Sequence, residues 1–462
     1  MAVFSIIPKS QLEGAKRLDA EYYQPEFLDV AEKIKKFGFS LLQDFSTIDI
    51  TKGETPLWRG DDYLTQGLPF LRSENLIPSG LDLSNIVFIS EKVHQRMKRS
   101  IIRPNDVLLA IVGATIGQTG LVGTDYSEYN SNQANAIIRP ENEKIAYYLS
   151  IVLETKFCQL QIERLKGGGA RDNLDLHEVK VIKIPKAENK ILNYCNDIVC
   201  EVKKFREDSK SFYSEAEGIL LKELGLENFG KEESLFSIVN LSEVKENKRI
   251  DAEFYQSKFE KMINEVKERV EVKNLDEVAE FRRGIFVPID FYTEEKTKRP
   301  YIRIKELSGE VGIDESKIIF VKDKYEEDKL NELQENDLVI AIIGDTIGKV
   351  NKINKELAGG FCSNNTGRIR IKQQWKEKII PDFFDLLFQS KFIQSQVEKK
   401  KAQTGQPKIS DKEIRSIIVP VLPKSTQQKI SDLIKKSFTA RTRAKELLEE
   451  AKSKVEEMIE NN

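Results

Sequence analysis

Few residues of this chain have the types and spacing that chemistry needs. The most suggestive string is Gly344-Asp345-Thr346-Ile347-Gly348-Lys349-Val350. Glycines let backbone amides close on a phosphate, and a following lysine would neutralise it. That chemistry requires four residues between the glycines and a Ser or Thr after the lysine. Here three intervene, Val350 follows, and an earlier matching string has Gln118 where Lys349 stands, so nucleotide binding is not expected. The four cysteines, Cys158, Cys195, Cys200 and Cys362, form no CxxC pair, and His94 and His177 lie away from them. A structural zinc needs four N or S ligands at tight spacing, so no metal is expected and the thiols read as ordinary reduced cysteines. A nuclease clusters acidic residues around a metal. Pro381-Asp382 lacks a Glu-x-Lys partner and sits in an apolar run, Phe383, Phe384, Leu386 and Leu387, that reads as core. An adenine methyltransferase would need a glycine-rich fingerprint for S-adenosylmethionine followed by an Asp-Pro-Pro-Tyr-like string, and neither is found. No catalytic residue is nominated, and no cofactor is expected in the chain itself.

The elements that position any site are written twice. Phe4-Ser5-Ile6 recurs as Phe236-Ser237-Ile238, and Lys16-Arg17-Leu18-Asp19-Ala20-Glu21-Tyr22-Tyr23-Gln24 as Lys248-Arg249-Ile250-Asp251-Ala252-Glu253-Phe254-Tyr255-Gln256, both at an offset of 232. Phe70-Leu71-Arg72 matches Tyr301-Ile302-Arg303, and the run Asp106 to Gly117 matches Asp337 to Gly348, both at 231. Ser131-Asn132-Gln133 lies opposite Ser363-Asn364-Asn365 at 232, while Lys156-Phe157 and Pro185 lie opposite Lys391-Phe392 and Pro420 at 235. Collinear matches with a slowly drifting offset mean one scaffold used twice with small loop insertions.

In each copy, Leu41 to Pro140 and Val272 to Lys372, short apolar runs broken by Gly, Pro, Asn and Asp read as strands and turns. Pro104-Asn105-Asp106 and Glu335-Asn336-Asp337 read as turns feeding buried strands that end at Gly113 and Gly344. Helical stretches follow at Ile145 to Leu165 and Asp382 to Lys401, then strand-like runs closing at Pro185 and Pro420. After each, a heptad-like seam appears. The first is Ile191, Cys195, Ile198, Val202, Phe205, Phe212, Ala216 and Ile219, with Ser209 filling a gap. The second is Ile434, Phe438, Ala444, Leu448, Ala451, Val455 and Met458, interrupted by Arg441. An amphipathic helix can simply cover its own domain, but two matching seams favour the helices packing on each other. The fold class is α+β: two repeated globular mixed α/β domains separated by two long helices packed as an antiparallel coiled coil. The boundaries are 1–186 for the first domain, 187–229 for the central helix, 230–423 for the second domain and 424–462 for the last helix.

Of 462 residues, 40% are hydrophobic and 32% charged, with Lys plus Arg at 73 against Asp plus Glu at 75. A near-zero balance argues against indiscriminate coating of nucleic acid and leaves room for a local basic face. No apolar run reaches membrane-spanning length and no basic-then-apolar leader opens the chain, so no membrane and a cytoplasmic location are expected.

The order of globular unit, long helix, globular unit, long helix resembles the specificity subunits of type I restriction–modification enzymes. Local strings carry the same resemblance. Thr51-Lys52-Gly53-Glu54-Thr55-Pro56 is similar to the Gly-x-Thr-Pro turn that opens a target recognition domain in that family. Asp106 to Gly117 and Asp337 to Gly348 are similar to its mid-domain strand and turn. Thr404-Gly405-Gln406-Pro407-Lys408-Ile409-Ser410, with Ile417 to Pro423 and Gln427-Gln428-Lys429-Ile430, resembles its join between recognition domain and helix. The second opening turn, Arg283-Gly284-Ile285-Phe286-Val287-Pro288, lacks the Thr-Pro pair, and the first join has a glycine run, Gly167-Gly168-Gly169. The resemblance implies a non-catalytic DNA reader. Each recognition domain would bind one half of a split, asymmetric site on double-stranded DNA. The helices would fix the spacing and dock modification subunits that use S-adenosylmethionine, joined by restriction subunits that use ATP and Mg. Half-sites on one face of DNA lie about 34 Å apart, within reach of helices roughly 50 Å long.

Phosphates are held by Lys, Arg and small polar groups, and base edges by Arg, Lys, Asn and Gln. In the first copy the candidates are Lys52, Arg59, Arg72, Asn132, Gln133, Asn135, Lys166 and Arg171. In the second they are Arg282, Arg283, Lys298, Arg299, Arg303, Asn364, Asn365, Lys401, Gln403, Gln406 and Lys408. Arg72 and Arg303 are favoured because they occupy corresponding places. The bland reading of each is a solvated surface residue. At the level of the whole chain the alternatives are a coiled-coil scaffold that binds only protein, a self-contained DNA enzyme, and the DNA reader of a related phage-defence assembly.

Overall fold

A computed structural model describes the chain except residues 1–4, 11, 13–17, 57–59, 167–172, 187, 230–236, 248, 309–311, 314, 316–317, 402–406 and 462. It is an α+β chain of two compact units, Met1–Glu207 with Arg441–Asn462, and Asp208–Ala440.

The first unit is centred on β1 (Thr51–Lys52), β2 (Val107–Ala110), β3 (Thr119–Leu121) and β4 (Asn135–Ile138), an antiparallel sheet in the order β1-β4-β2-β3. Alternate side chains of a strand face opposite ways. Val107 and Leu109 enter a core built with α1 (Glu143–Val152) and α2 (Lys156–Leu165), while Leu108 and Ala110 enter a second core with Leu71, Leu76, Ile102 and Tyr129. Cover on both faces explains why β2 reads as an unbroken apolar run. Asn105, at φ +70°, turns the chain into β2, a conformation asparagine tolerates. The buried Asp106 then accepts from the Arg103 amide at 2.8 Å and from Arg139 Nε and Nη2 at 2.9 and 2.7 Å. Asn142 caps α1 by accepting from the Ile145 amide at 3.1 Å. A small sheet beside this one pairs Leu68–Leu71 with Val87–Ile89 antiparallel and with Asn130–Ser131 parallel. The long helix α3 (Asn189–Glu223) starts in this unit.

In the second unit β5 (Ala279–Arg283), β6 (Leu338–Ala341), β7 (Val350–Lys352) and β8 (Thr366–Ile371) form an antiparallel sheet in the order β5-β8-β6-β7. Asn336 turns at φ +71°, and the buried Asp337 accepts from the Gln334 amide at 2.7 Å and from Arg370 Nε and Nη2 at 2.7 and 2.6 Å. Pro300–Ile302 pairs antiparallel with Ile319–Val321 and parallel with Phe361–Cys362. The helices α4 (Pro381–Gln389) and α5 (Lys391–Lys400) follow, with Pro381 in the first turn, where its missing amide costs nothing. The central sheet repeats that of the first unit strand for strand, while the small sheet gains a fourth strand, Tyr292–Thr293.

Asp382 opens α4 inside the core. Burial pushes its carboxyl up, but Lys352, Ser431 Oγ at 2.8 Å and Lys435 at 3.6 Å outweigh this and hold it below the usual range. Asp385, one turn on, accepts from Gln389 Nε2 at 3.0 Å, and burial pushes it up to about 6. An acid that binds its proton more tightly when folded contributes stability below its unfolded pKa, and loses it as pH rises through about 6. Asp385→Asn should therefore raise the melting temperature at pH 8 and leave it unchanged or lower near pH 4. Melting curves at the two pH values check this, and equal shifts at both would show that the charge is not the cause.

The second long helix, α6, spans Lys424–Glu460. In the first unit Ile191, Cys195 and Val199 share a core with Ala451, Val455 and Ile459, whereas Val202 packs with Ala444, Leu447 and Leu448. One helix therefore advances as the other recedes. In the second unit Ser209 Oγ meets Ser437 Oγ at 3.0 Å, and Phe438, expected on the seam, is 57% exposed. A seam through Phe438 would carry Arg441 inward one turn later. The observed path through Ser437 and Ala440 to Ala444 keeps the three–four spacing with small residues. Helix α3 stops at Gly225, which has φ +71° and lets the Leu226 amide return to Leu221 O at 2.8 Å.

Candidate nucleic-acid interface

In the first unit four loops meet beyond the end of β2. The Ile111 amide donates to Ala134 O at 2.8 Å, and Ile111 O accepts from the Leu174 amide at 2.9 Å, so the turn after Ser131 and the join after α2 flank the same residue. The opening turn lies against the Ser131 turn: a Cβ on Gly53 would sit 1.6 Å from Ser131 O, and the Thr55 hydroxyl donates to Gln133 Oε1. The fourth loop is Gly113 to Gly117, with φ of +79° and +91° at its glycines, which returns the Gly117 amide to Ala110 O at 3.0 Å. Gln159 of α2 holds it by donating to Gly117 O at 2.9 Å and to Leu153 O at 2.7 Å.

The second unit repeats this end. The Ile342 amide donates to Asn365 O at 3.0 Å, and Ile342 O accepts from the Ile409 amide at 3.1 Å. A Cβ on Gly284 would lie 2.2 Å from Ser363 O and 2.3 Å from Cys362 O. Gly344 and Gly348, at φ +88° and +91°, close the β6–β7 turn, and Gln394 donates to Gly348 O at 2.9 Å. The amides of Gly344, Ile347, Gly348 and Lys349 are spent on Pro407, Gly344, Ala341 and Thr346 carbonyls. The string that suggested a phosphate loop is a hairpin turn with these four amides already used.

These loop ends gather some of the candidate residues and leave others out. In the first unit they hold Lys52 at the end of β1, Asn132, whose Oδ1 accepts from the Ala134 amide at 3.1 Å, and Gln133. Asn135 lies beneath them, wholly buried and donating to Ser131 Oγ at 2.9 Å, which leaves it inside the turn. In the second unit they hold Arg283, bonded to Asp411 at 2.9 Å, and the exposed Asn364, Asn365 and Lys408. Arg282 reaches instead toward Glu280 at 3.5 Å and Asn331 at 3.4 Å. Lys166 and Lys401 stand at the ends of α2 and α5, paired with Glu163 and, at 2.6 Å, with Glu398.

Arg72 and Arg303 directly follow Leu71 and Ile302, whose carbonyls accept from Ser131 and Ser363, and their guanidinium groups hold turns. Arg72 Nη2 donates to Asn85 O at 2.9 Å and pairs with Glu74 at 2.6 Å. Arg303 Nη2 lies 2.6 Å from the wholly buried Glu306. Arg299 lies over the Phe361 ring, 4.9 Å from its centre, and donates to Tyr325 O, while Lys298 is exposed beside it. Arg59, Arg171, Gln403 and Gln406 fall outside the described residues. Attention to charged and amide side chains passed over one feature of the second opening turn, the exposed ring of Phe286. Its signal was the loss of the Thr-Pro pair there.

Burial pushes the thiols of Cys158 and Cys195 up to about 12 and that of Cys362 to about 11, so all three stay protonated at neutral pH. Among the described residues no three of His, Cys, Asp and Glu gather as metal ligands, and no helix is long and apolar enough to cross a membrane. Each loop end offers hydrogen-bond donors, amides and cations, the groups that meet phosphates and base edges.

The sequence profile described as the type I restriction modification DNA specificity domain matches residues 35–188 and 267–453, more than half of the chain. The chain belongs to the type I restriction–modification specificity subunit family. Each matched stretch contains one complete loop end. The specificity subunit of the type I restriction enzyme EcoBI of Escherichia coli is 33% identical over 127 residues. That match covers 27% of this chain, and the chain spans only 26% of that curated relative. Among solved structures, the specificity subunit of the type I restriction–modification system of M. genitalium aligns with a TM-score of 0.38 at 15% identity, over 91% of this chain and 94% of that one. The HsdS subunit of Thermoanaerobacter tengcongensis aligns with a TM-score of 0.29 at 13% identity, over 91% and 95%.

Proposed function

We propose that this specificity-family chain is the DNA-reading, non-catalytic subunit of a type I restriction–modification complex. Each unit presents its loop end to one half of a bipartite site in double-stranded DNA. The long helices pair as an antiparallel coiled coil that sets the spacing between halves and docks the modification subunits. Those subunits use S-adenosylmethionine, and restriction subunits use ATP and Mg. The observation that carries this reading is the recurrence of one four-loop end in both segments that the family profile matches. Where the two ends differ, as at Thr55 and Phe286, the halves they read differ, so the site is asymmetric. Joining two modest readers at a fixed separation raises their combined affinity through effective concentration.

Co-expressed with its modification subunit, the chain should direct adenine methylation to one split, asymmetric motif. Sequencing the host genome for modified adenines, with and without the chain, checks this. Exchanging residues 17–185 for those of a relative should change one half of the motif and leave the other. A soluble complex with an active modification subunit but no chain-dependent motif would overturn the reading and favour a scaffold that binds only protein.

A further inference from the structure

Single exposed apolar side chains are ordinary on a protein surface, so what singles one out is its place and how firmly it is held. Phe286 is 67% exposed, yet the backbone on either side of it is fixed. The Gly284 amide donates to Thr366 O and the Ile285 amide to Cys362 O, each at 2.9 Å. The buried Tyr301 hydroxyl donates to Ile285 O at 2.8 Å and accepts from the Val287 amide at 3.4 Å. Val287 is itself wholly buried, and Tyr325 donates to Phe286 O at 3.3 Å. The ring is thus pushed outward by a pinned turn.

The surroundings select the partner. Phe286 lies two residues from Gly284, whose contact with Ser363 sets this turn directly beside the exposed Asn364 and Asn365. Arg283 and Lys408 belong to the same loop end, and Ile289, three residues on, is also exposed, so apolar side chains stand here among amides and cations rather than on a continuous greasy surface. That mixture suits the major groove of DNA, where the C5-methyl of thymine is the apolar group among donors and acceptors. In the first unit the corresponding position is Thr55, already engaged with Gln133. At this place the two loop ends therefore offer opposite chemistries.

Resting on the DNA-reading function above, we propose that Phe286 packs on the methyl group of a thymine and so sets the sequence preference of the second half-site. Phe286 is a specificity-determining contact, and the scaffold that aims it is Gly284, Tyr301 and Val287.

The test uses the full chain in complex with its modification subunits and duplexes carrying the methylation motif. Each thymine of each half is replaced in turn by uracil, which deletes the methyl alone. One substitution in the second half should weaken binding about three- to five-fold, as expected for one lost buried methyl. Phe286→Ala should bind the unaltered duplex about ten-fold more weakly and be indifferent to that same uracil, with the first half unaffected. Equal uracil penalties with and without the ring would overturn the proposal, as would weakened binding by the variant with no uracil penalty in the parent, which would mean stacking between bases. A complex that selects its split motif but ignores every methyl overturns only the role of Phe286. Failure to select any split motif overturns the DNA-reading function as well.

Discussion

Arg370→Met should cost the second unit about 3–5 kcal/mol, the usual effect of removing one partner from a buried ion pair. Asp337 is 1% exposed and receives two bonds from Arg370 and one from the Gln334 amide, while Arg370 also donates to Glu332 O at 2.8 Å. Methionine preserves the apolar stem but leaves the carboxylate with a single backbone donor. The chain has two tryptophans, Trp58 and Trp375, and Trp375 packs against the core of the second unit. In a Trp58→Phe background its fluorescence reports unfolding of that unit in urea. Adding Asp337→Asn should recover a large part of the loss, because it removes the stranded charge. A loss below about 1 kcal/mol for Arg370→Met would place this pair with the weak surface bridges.

That pair also shows what could be read from the sequence and what could not. Asp106 and Asp337 were legible as turn residues before buried strands, because burial on both faces makes those strands continuous apolar runs. Their partners, Arg139 and Arg370, each stand 33 residues further on, and nothing local announces them. The available signal was recurrence, since a charge kept at one place in both copies usually serves the scaffold they share. The same logic applies to Arg72 and Arg303, whose recurrence drew attention as candidate DNA contacts and whose guanidinium groups hold turns. Positions that differ between copies, such as Thr55 and Phe286, are where two readers of one design can diverge. The helix seam was legible as a spacing but not in every residue. Choosing by hydrophobicity favoured Phe438, whereas the spacing from Ile434 to Ala444 runs through Ser437. The loop ends were not legible as sites, because their four segments lie up to about 120 residues apart and converge only through the sheet order.

Gly53→Ala and Gly284→Ala should disable the two half-site readers separately, with far less effect on folding. A Cβ at residue 53 would lie 1.6 Å from Ser131 O, and one at residue 284 would lie 2.2 and 2.3 Å from two carbonyl oxygens, so the opening turn must lift from its neighbour. These atoms belong to backbone already fixed by sheet hydrogen bonds and cannot swing aside as a flexible side chain would. Relief by moving an edge loop costs about 1–3 kcal/mol in stability. The same movement displaces Lys52 and Thr55, the partner of Gln133, in one unit, and Arg283 and Phe286 in the other. Misplacing even one good base contact forfeits about ten-fold or more in discrimination. Methylation of the intact motif should therefore fall at least ten-fold in either variant. Relaxed choice should appear only in the half that the altered unit reads. Gly218, in α3, has open space where its Cβ would go, so Gly218→Ala should leave half-site choice unchanged and strengthen the helix slightly. If methylation and half-site choice survive Gly53→Ala and Gly284→Ala in a folded complex, the DNA-reading surface lies elsewhere on these units.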